Sequence, residues 1–391
     1  MTTADTHPHD LSARRIWIAV AAAFIANSVL FGTWASRLPA VKQTFDLSHD
    51  SLGLLLLLMA GGAIIGFPLA GNLAGRYGGA NMTRVLWGLM VLAALGLGIA
   101  PTVWTLALVV FAFGMTGGAM DVAMNVWATE AEQRYGRIWM PSFHAMWSLG
   151  SAFGALSGLV IIPLGWGYGA HFTLVALCAT PLAYWGMRVT WRFDPQPSEK
   201  TPLFPVMRGK LLLVGFFTLC ATLGEGAITD WSALFLIEVT AASESRAPIA
   251  FAAFAAAMVA MRLSGALVIG HLGPLRAAFL SAGFAIIGAV VLALSTTTLP
   301  AITGCVLLGF GYALAMPLAM ARAGASRSMP KAMAVAGVAT FAYGGILLGP
   351  PVIGFLAEAT SLHRALMLLI LLGVVMLLTA PALRTPKGGA D

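Results

Sequence analysis

The sequence predicts an all-α membrane protein with twelve transmembrane helices in two pseudo-symmetric six-helix bundles. Three observations carry this expectation. The composition is 59% hydrophobic and 9% charged, whereas a soluble chain carries about a quarter charged residues. Apolar runs recur along the whole length, each near the roughly 20 residues needed to cross about 30 Å of hydrocarbon as a helix. The chain also repeats itself: "AMDVAM" (119–124) returns as "AMPLAM" (315–320), 196 positions later in a chain of 391.

Only helices and closed barrels satisfy their backbones in lipid. Uninterrupted apolar runs, without the ten-residue alternation of barrel strands, select helices. The runs place spans at 16–38, 51–74, 82–100, 103–128, 139–163 and 168–189, then at 211–237, 247–271, 274–295, 299–322, 331–356 and 362–383. The longest polar connection, 190–210, has four prolines and divides the spans six and six. The expected organisation is a tail (1–15), an N-terminal bundle (16–189), a linker (190–210), a C-terminal bundle (211–383) and a tail (384–391).

Basic residues set the orientation. With both termini cytoplasmic, 18 of the 22 Lys and Arg fall inside, Arg262 among them, and only Arg37, Lys42, Arg246 and Arg364 fall outside. This is the positive-inside bias of a multi-pass protein of the bacterial cytoplasmic membrane. The net charge of +7 thus reflects topology and is not read as nucleic-acid binding. The start "SARRIWIAVAAAF" imitates a secretory or twin-arginine signal, but eleven further spans argue against a cleaved leader. Cys178, Cys220 and Cys305 are scattered through spans, which suggests packing rather than a disulfide or metal site.

After span 2 comes "GNLAGRYGG" (71–79), which resembles the first-loop signature of the major facilitator superfamily. Gly71, Leu73, Arg76 and Gly78 match, while Gly75 replaces the usual acid; the counterpart "RLSGALVIGHLG" (262–273) is looser. Parallel six-helix repeats about an axis along the membrane normal are that superfamily's design. "FGTWASRLPAVKQTF", "DVAMNVWATEAEQRYGR", "SFHAMWSLGS" and "EGAITDWSAL" look like the branch of MosC-type membrane proteins of rhizopine clusters. That branch is itself similar to the fucose permease group of sugar:proton symporters. In that group the fourth span has an acid followed four residues later by Asn, as Asp121 and Asn125 are placed here, and His144 falls where the group has a Gln. The group's first-span acid has no counterpart; Ala35 stands there, with Arg37 nearby.

Ionisable groups inside spans cost roughly 2.5–3.5 kcal/mol to insert and mark ion or substrate routes. Asp121, Glu225 and Asp230 qualify, while Glu238 and Glu358 fall at span ends as solvated groups. At about 1.5 Å per residue, Asp121 and His144 lie at matching depths on consecutive helices, with Asn125 one turn from Asp121. They read either as a proton-coupling site or as a structural hydrogen-bonded cluster, and Glu225 reads as a further proton-coupling or substrate-binding group. One Asp, one His and one Asn lack the donor set of a metal centre, and no cofactor is expected. The glycines flanking Glu225 suggest local unwinding. Arg37 and Asp230, at similar outer depth, read as a gate pair or as two independently solvated charges.

Trp34, Trp147, Trp231 and Tyr343 are candidate walls for a polyhydroxylated ligand, with packing as the alternative for each; Asn27 and Asn125 are candidate polar contacts. The Gly-Pro of "GGILLGPPVIG" (344–354) predicts a kinked, closely packed span 11. In the duplicated hexapeptide the N-terminal copy has the titrating Asp121, and the C-terminal copy has Pro317 as a kink for gating.

The expected function is proton-coupled uptake of a small polar, sugar-like or polyol solute by alternating access. The chain is expected to act as a monomer among membrane lipids, with solute and protons as its partners. The alternative is proton-driven export of a drug or metabolite through the same acids. The sequence has no HExxH motif, no paired nucleophile and base, and no soluble catalytic domain, so an enzyme is not expected.

Overall fold

The computed structural model describes residues 12–191, 207–326 and 329–384. Most of the expected linker and the outer parts of both tails therefore lie outside the described residues. In order, the helices are α1 (Ala13–Thr44), α2 (His49–Tyr77), α3 (Gly79–Ile99), α4 (Val103–Tyr135), α5 (Met140–Ile161) and α6 (Tyr168–Gly186). The second half has α7 (Gly209–Thr240), α8 (Pro248–Ala293), α9 (Thr298–Tyr312), α10 (Ala315–Gly324), α11 (Lys331–Ala359), α12 (Leu362–Leu366) and α13 (Leu368–Thr379).

Ten of these segments are long and apolar enough to cross a membrane. One of them, the 46-residue α8, is two helices joined at Gly273 (φ 76°), and the apolar α6 is a further crossing helix. Counted so, the described helices are consistent with twelve spans, α9 with α10 and α12 with α13 each making one. Outward-facing Leu92, Leu182, Leu267 and Leu378 are each more than half exposed, as a lipid-facing surface requires.

Local chemistry sets the helix ends. Ser12, Ser48 and Thr102 cap α1, α2 and α4 by accepting from the backbone N–H three residues on. Thr105 returns the bond to Thr102, closing a capping box. Gly136 ends α4 in the left-handed region, at φ 59°.

The duplication is visible in the backbone. α1 and α7 are both 32 residues long, with ends that correspond at the same 196-residue offset. The α2–α3 turn pivots on Gly78 (φ 85°), and the break inside α8 pivots on Gly273 (φ 76°), its counterpart in the other half. Positive φ without a Cβ penalty explains glycine at both turns. The "GNLAGRYGG" segment and its looser partner therefore share a turn, although their side chains diverge.

Away from the termini the halves meet closely. A Cβ on Gly354 of α11 would come within 2.9 Å of Gly53 Cα on α2, so these helices pack backbone to backbone. The same end carries charge. Lys42 lies 3.7 Å from Glu238, the His49 ring 2.9 Å from Glu238 and 3.5 Å from Glu358, and Arg37 3.8 Å from Glu244. Among the described residues, all four ion pairs between the halves lie at this end, with bases from the first half and acids from the second. Glu238 and Glu358, expected to be merely solvated, are corrected here: the sequence places them at span ends, but only the fold brings the partner bases opposite them.

Candidate functional site

Between the halves lies a cavity of about 240 Å³. Its polar wall is Asn27, Asp121 and His144 from the first half and Thr222, Glu225, Thr229, Asp230 and Arg262 from the second. Trp34, Trp147 and Tyr343 join them. Eight of the ten expected site residues line the cavity; Asn125 touches Asp121, which does, and Arg37 lies away from it.

Asp121 sits on unbroken α4. Its Oδ2 accepts from the Tyr343 hydroxyl of α11 at 3.2 Å, and its Oδ1 accepts from Asn125 Nδ2 at 3.3 Å. Asn125 also donates to the Asp121 carbonyl at 2.8 Å, so its amide supports the acid from one turn below. The Tyr343 bond joins the two halves at the cavity. His144 shares the cavity with Asp121 but does not bond to it; its ring meets Phe24 edge-on at 5.6 Å. Matching depth put the two residues in one cavity without aiming one at the other.

On the opposite wall Glu225 accepts from Arg262 at 3.3 Å. Arg262 also donates to the Ser148 hydroxyl and, at 3.4 Å, to the His144 carbonyl. It therefore links both halves at the cavity and does not belong with the cytoplasmic charges. This correction had a signal in the sequence, since Arg262 lies inside the apolar run 247–271. An intramembrane cation invites an acid partner, and Glu225 is that partner.

Asn27 is buried, with both amide ends occupied. Its Nδ2 donates to the Gly117 carbonyl at 3.1 Å, and its Oδ1 accepts from Trp147 Nε1 at 3.0 Å. It holds the Trp147 ring on the wall. Trp231 does not line the cavity; its Nε1 donates to the Pro350 carbonyl at 3.0 Å and its ring stacks on His49. The expected unwinding around Glu225 is also absent, because α7 runs unbroken from Gly209 to Thr240. Glycine is needed there for close packing instead: a Cβ on Gly226 would meet the Ile346 carbonyl at 2.7 Å.

The Arg37–Asp230 gate pair is not formed. Arg37 is buried against the Trp166 carbonyl, to which it donates at 2.6 Å, and it faces Glu244. Asp230 faces the cavity, 5% exposed. Similar depth placed both residues near the same level, but the helices turn them in different directions.

Two helical bundles related by a repeat, meeting at one end beside a central cavity lined from both halves, are the architecture of a secondary transporter. A model of the Major Facilitator Superfamily matches residues 16–330, and the chain belongs to that superfamily. An uncharacterized transporter y4wD of Sinorhizobium fredii is 38% identical over 369 residues, 94% of this chain and 98% of that protein. The membrane protein MosC of Rhizobium meliloti is 31% identical over 365 residues, covering 92% and 88%. The nucleoside transporter NupG shares the fold with TM-score 0.72 at 14% identity, over 95% of this chain and 100% of that one. An inward-facing, unoccupied bacterial homologue of the human lysosomal transporter Spinster does so with TM-score 0.74 at 15% identity, over 96% and 98%. The chain is a multi-pass membrane transporter and not an enzyme. Among the described residues, no group of three or more His, Cys, Asp or Glu is placed to hold a metal ion.

Proposed function

We propose that the chain couples uptake of a small polar, sugar-like or polyol solute to protons, as a monomer in the bacterial cytoplasmic membrane with both termini cytoplasmic. The observation that carries the reading is the Asp121–Tyr343 bond on the cavity wall. A carboxyl group there holds the halves together through a hydrogen bond, so gaining or losing a proton alters a contact that must change when the halves rock. Solute in the same cavity then biases the same equilibrium, which is the linkage a symporter requires. The cavity, at about 240 Å³, falls below the roughly 300–1,000 Å³ of drug-sized sites, which favours a small solute. Its remaining wall is largely apolar, with Phe31, Met59, Phe67 and Ile346. That wall is what an export reading has in its favour.

The test replaces Asp121 by Asn, which keeps the shape but cannot titrate. In proteoliposomes the variant should still exchange solute by counterflow and lose accumulation driven by an imposed pH gradient. Full gradient-driven accumulation would remove Asp121 from coupling and shift the role to Glu225.

A further inference from the structure

The end of the molecule away from the termini holds a histidine between two acids. His49 opens α2 in the first half, behind the cap at Ser48. Its ring Nε2 lies 2.9 Å from Glu238 of α7, and its Nδ1 lies 3.5 Å from Glu358 of α11. The His49 backbone N–H also donates to Glu358 at 3.0 Å. That carboxylate therefore sits on the N-terminus of α2, where a helix favours negative charge. The Trp231 indole of α7 stacks on the imidazole, with ring centroids 6.0 Å apart and planes at 24°. A bond from Trp231 Nε1 to the Pro350 carbonyl fixes the indole against α11.

These surroundings suit the imidazolium and not the neutral ring. A neutral imidazole has one N–H, so one of its nitrogens would turn a lone pair toward a carboxylate. The imidazolium presents a proton to both acids, and its charge is drawn to the indole face. Charge counting agrees. Lys42 of α1 lies 3.7 Å from Glu238, and among the described residues no other ion pair reaches either carboxylate. Asp50, next on α2, is occupied by the Ser48 hydroxyl and the Ser51 N–H, and Arg37 and Glu244 pair with each other at 3.8 Å. Two carboxylates and one ammonium leave one net negative charge around the ring. A proton on His49 neutralises it.

We propose that His49 is a proton-binding site whose occupancy locks the two halves together at this end. Both acids belong to the second half and His49 to the first, so parting the halves takes both carboxylates from the proton at once. The closed end therefore holds the proton more tightly than the open end. By linkage, the proton favours closure to the same degree. Closure strengthens as pH falls through the range in which histidine changes charge, about 5 to 8, and weakens as pH rises. The site is separate from Asp121, which lines the cavity on α4, and it needs no particular solute. In the orientation proposed above this end faces outside, so external protons close it.

The experiment measures the distance across this end by pulsed electron spin resonance. Nitroxides are carried by Gln43→Cys on α1 and Ala359→Cys on α11, both exposed positions. The protein is full length and in detergent, with Cys178, Cys220 and Cys305 replaced by alanine. Both faces then meet one pH, so the result does not depend on orientation in a membrane. From about pH 8 to about pH 5 the short-distance population should grow at the expense of the long one. A single proton limits the change in their ratio to about tenfold per pH unit. His49→Gln keeps hydrogen-bonding capacity but cannot become a cation, and its populations should stay constant over that range. Glu238→Gln and Glu358→Gln should each weaken the response, and Asp121→Asn should respond as the wild type does. Distances in the wild type that ignore pH would overturn the site. So would a response that survives in His49→Gln; if that response is lost in Asp121→Asn, the pH dependence belongs to the cavity and the coupling role of Asp121 stands without this site.

Discussion

α4 and its counterpart α9–α10 begin as copies and end with different shapes. α4 is a single 33-residue helix with Asp121 in its interior. The counterpart stops at Tyr312 and restarts at Ala315, two residues before Pro317. The break lies where the substituted residue dictates. A helical residue at 317 would donate its N–H to the Ala313 carbonyl; proline has no N–H, and its ring crowds that carbonyl. Regular bonding resumes with the Leu318 N–H donating to Leu314 at 3.0 Å. Duplication supplied two equivalent helices, and one residue in each made one a rigid carrier of charge and the other a jointed rod. The asymmetry extends to α1 and α7, where Lys42 lies 3.7 Å from Glu238, its counterpart at the 196-residue offset. Equivalent positions have diverged into complementary chemistry, base against acid.

The most severe way to break this comparison is to write the second copy's residue into the first. In Asp121→Pro the ring would clash with the Gly117 carbonyl, which already accepts from Asn27 Nδ2 at 3.1 Å. No turn exists there to absorb the clash. The cost is about 3 kcal/mol or more, together with loss of the Asn27 bond that positions Trp147. The expected outcome is little folded protein on size exclusion and a sharply lowered melting temperature. A well-folded variant would mean that α4 can adopt the joint of its counterpart, and that the two helices differ less than their shapes suggest.

A smaller effect comes from Tyr343→Phe, which removes the donor that reaches Asp121 from the other half. The loss is about 1.5–3 kcal/mol if Asp121 is charged and about 1 kcal/mol if it is neutral. A double-mutant cycle with Asp121→Asn, read by thermal melting, isolates the coupling between the two residues. Zero coupling would mean that the bond does not hold the halves, and the proposed link between protonation and rocking would fail with it.

Much of the fold is legible in the sequence because lipid makes the rules simple. A span must be apolar and about 20 residues long, so ends fell within a few residues of the helices in nearly every case, as with 168–189 against Tyr168–Gly186. The cavity was legible in part for the same reason: intramembrane acids are expensive, so Asp121, Glu225 and Asp230 stand out against the apolar background. What the sequence did not specify was direction. Depth along a helix follows from counting, but the partner of a side chain depends on helix rotation and on which helix lies opposite. Hence Asp121 meets Tyr343 rather than His144, and Arg37 turns to Trp166 rather than Asp230. Arg262 was misplaced for a different reason: a charge count assigned it to a loop although it lay inside an apolar run. The ions at the far end were invisible because each sits at a span end, where a solvated charge is the ordinary outcome, and only the fold sets bases against acids there.

The smallest thermodynamic effect bears most directly on why the halves differ. In Pro317→Ala the restored N–H can bond to the Ala313 carbonyl and join α9 to α10, a gain of about 1 kcal/mol. Removing proline also frees the unfolded chain, at a cost of about 0.4–1 kcal/mol to the folded state. The two terms nearly cancel, so the melting temperature should hardly move. Transport should respond differently. If the joint at 313–314 lets the second half bend as the cavity changes access, a continuous helix makes that motion harder, and turnover in counterflow should fall several-fold while solute affinity is kept. Met316, beside the joint, lines the cavity, so bending there is felt by whatever occupies it. The measurement is the rate of exchange in proteoliposomes beside binding affinity in detergent. Unchanged turnover in the variant would make Pro317 a residue of shape alone and leave Asp121 as the functional half of the divergence. Slower turnover at unchanged stability would show that Pro317 serves movement in the second copy, where the first has Asp121.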